Sequence, residues 1–277
     1  MKKEGPPSVE PVESFDQQKR QYFIRIGLQL RQTLKLHKQE GLWDRNAQGE
    51  RDWVNASKHC IVEAARSKVL ANKFGLSLEM GEKLIAAAAL HDFYKRKEIE
   101  AMRRPDKSVW GSSQEAAQQS DVIMKAAGFD DETIRLAESV GHLSLKETEE
   151  ILVKENLAEG DIAFLMLHYI DDYTHNHDWT SEAVVDEQTG VSADDMDRRI
   201  LRSEQSGKYE GLNQEGVGKF GPGETMFQAQ YRIGVAVEKK LVELLGQKLG
   251  VQLDPKDLPA MIDGWVKEEI AKESLNN

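Results

Sequence analysis

A chain of 277 residues, 39% hydrophobic and 31% charged, has enough apolar material for a core and too much charge for a membrane or low-complexity protein. Its 37 Lys and Arg against 48 Asp and Glu leave a net charge of −11, which argues against a long nucleic-acid partner, because phosphate backbones are held by basic surfaces. The single Cys excludes a disulfide framework and a Cys-based zinc cluster, so metal chemistry must draw on the seven His and the carboxylates.

In chain order, residues 1–14 hold three prolines and few apolar side chains, and read as a disordered tail. No apolar segment follows Lys2 and Lys3, so the start is not a secretory signal and the chain reads as cytoplasmic. Residues 17–38 place Phe23, Ile26, Leu30 and Leu34 at helical spacing. Residues 52–74 do the same with Trp53, Ala56, Cys60, Ala64 and Val69, and Gly75 supplies the stop. Ser77 caps a third helix through Leu84–Leu90, the longest apolar run and far too short to span a membrane. Further helices are expected over 113–127, closed by Gly128, and over 131–140 and 145–156. A helix over 161–173 is apolar nearly all round and must be buried. Residues 174–222 form a long polar stretch in which Ser192 and Asp195 match a capping pattern for a short helix towards 204. An amphipathic helix over 223–246 follows, and Pro255 and Asp257 introduce a last helix to about 273. No segment alternates with period two, so the fold is expected to be all-α.

Three places carry metal-ligand chemistry. His91 and Asp92 stand where the third helix ends, and neighbours in sequence converge on one ion only where a helix stops or distorts. His59 lies in the second helix, and Asp171 near the end of the apolar 161–173 helix, where an acid needs a partner because burying an unpaired carboxylate is costly. A metal would be such a partner.

This order of His, His-Asp and Asp across successive helices resembles the HD-domain superfamily of metal-dependent phosphohydrolases. The segment AAAALHDFYK is similar to the family's apolar run followed by HDxxK, and YIDD to its distal aspartate motif, over about residues 50–175. The resemblance implies an HD-domain helical bundle over 15–175; the residues after it read as an acidic, Gly-containing loop over 176–222 with a short helix, and as C-terminal helices over 223–277 expected to pack on the bundle. It implies that His59, His91, Asp92 and Asp171 hold one divalent ion (Mn, Fe, Co, Ni, Zn or Mg), and that Lys95 and His142 contact the phosphate of a small substrate, a nucleotide being the first candidate. Where many members keep a further His, this sequence has Ala116, which favours one metal over two. Two other readings are a di-iron oxygenase, which needs those extra His ligands, and a non-catalytic nucleotide- or partner-binding module, which has no need of intact ligands. Oligomeric state is left open.

Other signals are weaker. Gly216, Gly218 and Gly221 spell GxGxxG without the strand that gives the motif its meaning. His175 and His177 read as surface, and Cys60 as a small core residue. The acid surplus is local: residues 130–199 carry 19 acids against 5 bases, whereas Phe93–Lys107 holds six bases against three acids, so a small phosphorylated substrate is compatible with the overall charge.

Overall fold

The computed structural model describes residues 14–174, 200, 203, 204, 207 and 209–275. Ser14 begins the ordered chain as a capping box: its hydroxyl accepts from the Gln17 N–H while the Gln17 side chain accepts from the Ser14 N–H. The helices are α1 (Phe15–Gln29), α2 (Arg31–Gln39), α3 (Val54–Phe74), α4 (Leu78–Leu90), α5 (Lys95–Met102), α6 (Val109–Ala126), α7 (Asp131–Ala137), α8 (Leu145–Leu152), α9 (Glu159–Tyr173), α10 (Glu210–Glu215), α11 (Met226–Leu249) and α12 (Leu258–Leu275). A 3-10 turn, Pro255–Asp257, leads into α12. Among the described residues there is no strand, and the fold is all-α. None of these helices is long and apolar enough to cross a membrane.

α3 and α9 occupy the middle. α9 is buried on every face from Ala163 to Tyr173, as its all-round apolar sequence requires. α3 packs on α4, α9, α1 and α12, and α11 lies across α8 and α9. One continuous hydrophobic cluster runs from Tyr22 in α1 to Ile270 in α12, so the C-terminal helices share the core of the preceding bundle.

Several boundaries differ from expectation, and two of the differences have a reason in tertiary packing. The 17–38 helix breaks at Leu30, where ψ turns to 19°, which lets α1 lie on α3 and α12 while α2 turns onto α4. α6 starts at Val109, four residues early, because Ser108 caps it and the Glu215 carboxylate of α10 accepts from the Val109 and Trp110 N–H groups at 3.0 and 2.8 Å. α5 forms from what reads in sequence as a basic run, and α10 from within the expected loop. The expected tail over 1–13, most of the 176–222 loop with its short helix from Ser192, and His175 and His177 lie outside the described residues.

Candidate metal centre

α3 sets His59 and Glu63 one turn apart on the same face. His59 Nε2 lies 2.8 Å from Glu63 Oε1 and 3.3 Å from Asp171 Oδ1 of α9. α4 ends at Leu90, where the His91 N–H still closes the last α-turn on the Ala87 carbonyl. The next turn tightens: Phe93 N–H donates to Leu90 O and Lys95 N–H to Asp92 O. This change of pitch turns both His91 and Asp92 toward α3 and α9.

His91 Nδ1 donates to the Ala88 carbonyl at 2.8 Å, which leaves Nε2 as the ring nitrogen directed to the interior. That nitrogen is buried without a hydrogen-bond partner, 3.7 Å from Asp171 Oδ1 and 3.7 Å from Asp92 Oδ2. Donor atoms of His59, Glu63, His91 and Asp171 all lie within 4.8 Å of one another, a group that can hold a metal ion. The residues present fit that role. Both Glu63 oxygens and His91 Nε2 are buried acceptors with no hydrogen-bond donor, so lone pairs converge where a cation would satisfy them.

Asp92 sits at the rim of this group, with Oδ1 3.4 Å from Lys95 Nζ. Burial on its own would raise its carboxyl, but Lys95, His91 and His59 outweigh burial and hold the pKa at about 2. Asp172 faces the other way. Its Oδ1 accepts from Gln230 Nε2 at 2.7 Å and its Oδ2 lies 3.3 Å from His168 Nε2, while His168 Nδ1 donates to the Ser139 carbonyl at 2.6 Å. His168 thus braces the segment after α7, and Asp171 is the acid of the YIDD pair that reaches the cluster.

Above the cluster opens a cleft of about 760 Å³, whose lining includes Trp53, Tyr94, Lys95, Ala116, His142 and Tyr209. Lys95, the first residue of α5, lies 3.1 Å from Glu98 as well as 3.4 Å from Asp92, with the Tyr209 ring 5.7 Å away. Burial would lower its pKa, yet the Asp92 and Glu98 carboxylates raise it well above the ordinary value and keep the ammonium charged. Arg96 departs from the cleft, pairing with Asp44 and Glu100, and Lys97 is exposed. The basic run therefore divides into one inward cation and two outward ones.

His142 follows α7 and packs edge-on against Trp110, ring centroids 4.9 Å apart. Its Nε2 is buried without a partner, and burial pushes its pKa down to about 4, with Glu98 raising and Lys95 lowering it further. At neutral pH it offers a hydrogen bond, not a charge.

The chain matches no protein-family model, no curated protein and no solved structure. Of the residues singled out in the sequence, His59, His91 and Asp171 come together, Asp92 lies beside them, and Lys95 and His142 line the cleft. Glu63 is the member that sequence reasoning missed. Its signal was present, an acid four residues after His59 within a run of small and apolar residues, and the reasoning applied to Asp171 applies equally to it.

Proposed function

We propose that the chain is a metal-dependent phosphohydrolase of HD-domain type, cleaving a phosphate ester of a small substrate. The observation that carries this reading is the convergence of His59, His91 and Asp171 from three helices, with Asp92 alongside, at the floor of a cleft that also presents Lys95 and His142. His59, His91, Asp92 and Asp171 would hold one divalent ion, and Ala116 on the cleft wall offers no donor for a second. Such an ion supplies Lewis acidity to a phosphoryl oxygen and lowers the pKa of the attacking water.

The chain's own residues position the ester. Lys95 presents a fixed ammonium to a non-bridging oxygen, and Asp92 and Glu98 hold that ammonium in place before substrate arrives. His142, neutral, donates to or accepts from the phosphoryl group without adding charge. A volume of about 760 Å³ accommodates a nucleotide, and Trp53, Tyr94 and Tyr209 supply aromatic surface for a base.

The test is a broad phosphate-ester panel run with metal-loaded wild type and with an His91→Ala/Asp92→Ala double variant. Wild type is expected to release phosphate from at least one ester and the double variant from none; activity surviving in the double variant sinks the reading. Lys95→Met is expected to lower turnover by about 100-fold on the same ester, the scale for removing one charge-stabilising group.

A further inference from the structure

Glu63 carries a consequence for which ion the site accepts. It is fully buried, and neither of its oxygens accepts a hydrogen bond. The two groups beside it are imidazoles: His59 Nε2 at 2.8 Å from Oε1, and His91 Nδ1 at 3.4 Å from Oε2. His91 Nδ1 is already committed to the Ala88 carbonyl at 2.8 Å. His59 Nε2 is the nitrogen that faces Asp171, so it is also the nitrogen that would face an ion. One nitrogen cannot both donate a proton to Glu63 and give its lone pair to a metal.

With a metal in place, His59 Nε2 is unprotonated, and Glu63 Oε1 then lies 2.8 Å from a second lone pair. A cation between the two atoms removes that repulsion. The spacing agrees: ligand atoms about 2.1 Å from a common ion sit about 3.0 Å apart along an octahedral edge and about 3.4 Å along a tetrahedral one. The separations of His59 Nε2 from Glu63 and Asp171, 2.8 and 3.3 Å, fall in or near that range.

We propose that Glu63 is itself a metal ligand, and that it contributes more to binding a six-coordinate divalent ion, Mn²⁺ or Fe²⁺, than to binding Zn²⁺. Two imidazoles with the carboxylates of Glu63 and Asp171 already fill a four-coordinate zinc shell, and Asp92 Oδ2, 3.7 Å from His91 Nε2, is a fifth donor beside them. Oxygen-rich sets of more than four donors suit Mn²⁺ and Fe²⁺. The inference rests on the metal-site reading given above, and extends it to a residue and an ion class that the His, His-Asp and Asp pattern does not name.

The experiment measures Mn²⁺ and Zn²⁺ binding to the full chain, stripped of metal with chelator, for wild type, Glu63→Gln, Glu63→Asp and His59→Ala. Thermal unfolding of each is followed with and without Mn²⁺. Glu63→Gln keeps the volume and removes the charge. It is expected to weaken Mn²⁺ at least tenfold and Zn²⁺ by less, to lose most of the Mn²⁺-induced rise in Tm, and to leave the metal-free Tm equal to or above wild type. A residue that merely accepted a proton from His59 would lower the metal-free Tm when replaced. His59→Ala is expected to abolish binding of both ions. If His59→Ala loses metal while Glu63→Gln binds Mn²⁺ like wild type, the role of Glu63 is overturned and the site stands. If wild type binds neither ion, both fall. Should Glu63→Gln fail to fold, Glu63→Asp decides: at least tenfold weaker Mn²⁺ binding supports the assignment, and wild-type affinity overturns it.

Discussion

His37 shows how a residue remote from the cluster in sequence is tied to it. Its Nε2 donates to the Ala89 carbonyl at 2.7 Å, its Nδ1 accepts from the Ser57 hydroxyl at 2.9 Å, and Ser57 Oγ in turn accepts from Trp43 Nε1 at 2.9 Å. Ser57 stands two residues before His59 and Ala89 two before His91, so this neutral ring joins the two ligand-bearing helices from behind. Burial pushes its pKa down to about 4 from an ordinary 6.5, opposed by the Ala89 carbonyl and helped by His91. The unfolded chain therefore binds a proton between those values and the folded chain does not. Stability from this group is complete above about pH 6.5 and is lost as pH falls toward 4, by up to about 3 kcal/mol. Chemical denaturation of His37→Gln across that range should give a flatter pH profile than wild type, and parallel profiles would contradict the account. Sequence gave His37 no context because its partners lie 20 and 52 residues away. Glu63 differed: its partner His59 is one turn away, and the spacing alone could have flagged it.

At the level of elements, what was legible was local. Ser77 caps α4 through Met80 N–H, Gly75 stops α3 with φ at +59°, and α9 is buried all round. What was not legible depended on distant partners, as in the start of α6 under Glu215 or the break at Leu30. The end of α4 belongs to both classes: the sequence requires the helix to stop for His91 and Asp92 to converge, but not the tight turn by which it does so. Ser77 also donates to Glu159 at 2.7 Å, and its N–H reaches the same carboxylate at 3.1 Å, cross-tying the N-terminal ends of α4 and α9, the two elements that bring His91 and Asp171 to the cluster. Ser77→Ala should lower unfolding free energy by about 1 kcal/mol in urea. Because the tie is at the end opposite the cluster, metal affinity should stay within twofold; a tenfold loss would mean that the N-terminal tie governs the site.

Across the whole molecule, α12 helps lock the two central helices. Arg66 of α3, fully buried, pairs with Asp263 of α12 at 3.0 Å, donates to Thr174 Oγ1 at the end of α9 at 2.6 Å, and stacks on Tyr173. α12 is thus held on the preceding helices by a specific contact as well as by apolar area. Removing one partner leaves a buried guanidinium under-compensated, so Asp263→Ala should destabilise by about 2 kcal/mol, discounted because Asp263 is one-fifth exposed; a loss under about 0.5 kcal/mol would contradict this bridge. Part of the acid surplus in 130–199 is also absorbed locally, since Arg135 holds Glu132, Glu147 and Asp161 at 3.2, 2.8 and 3.4 Å. The overall charge of −11 is therefore a poor guide to the cleft, where Lys95 is fixed beside the cluster.

The most direct measurement is the metal content of the full chain after loading with a divalent ion and desalting, for wild type and the His91→Ala/Asp92→Ala variant. The account predicts one tightly held equivalent per wild-type chain and none in a double variant that remains folded by circular dichroism. A wild type that retains no ion, or a double variant that retains a full equivalent, would contradict it.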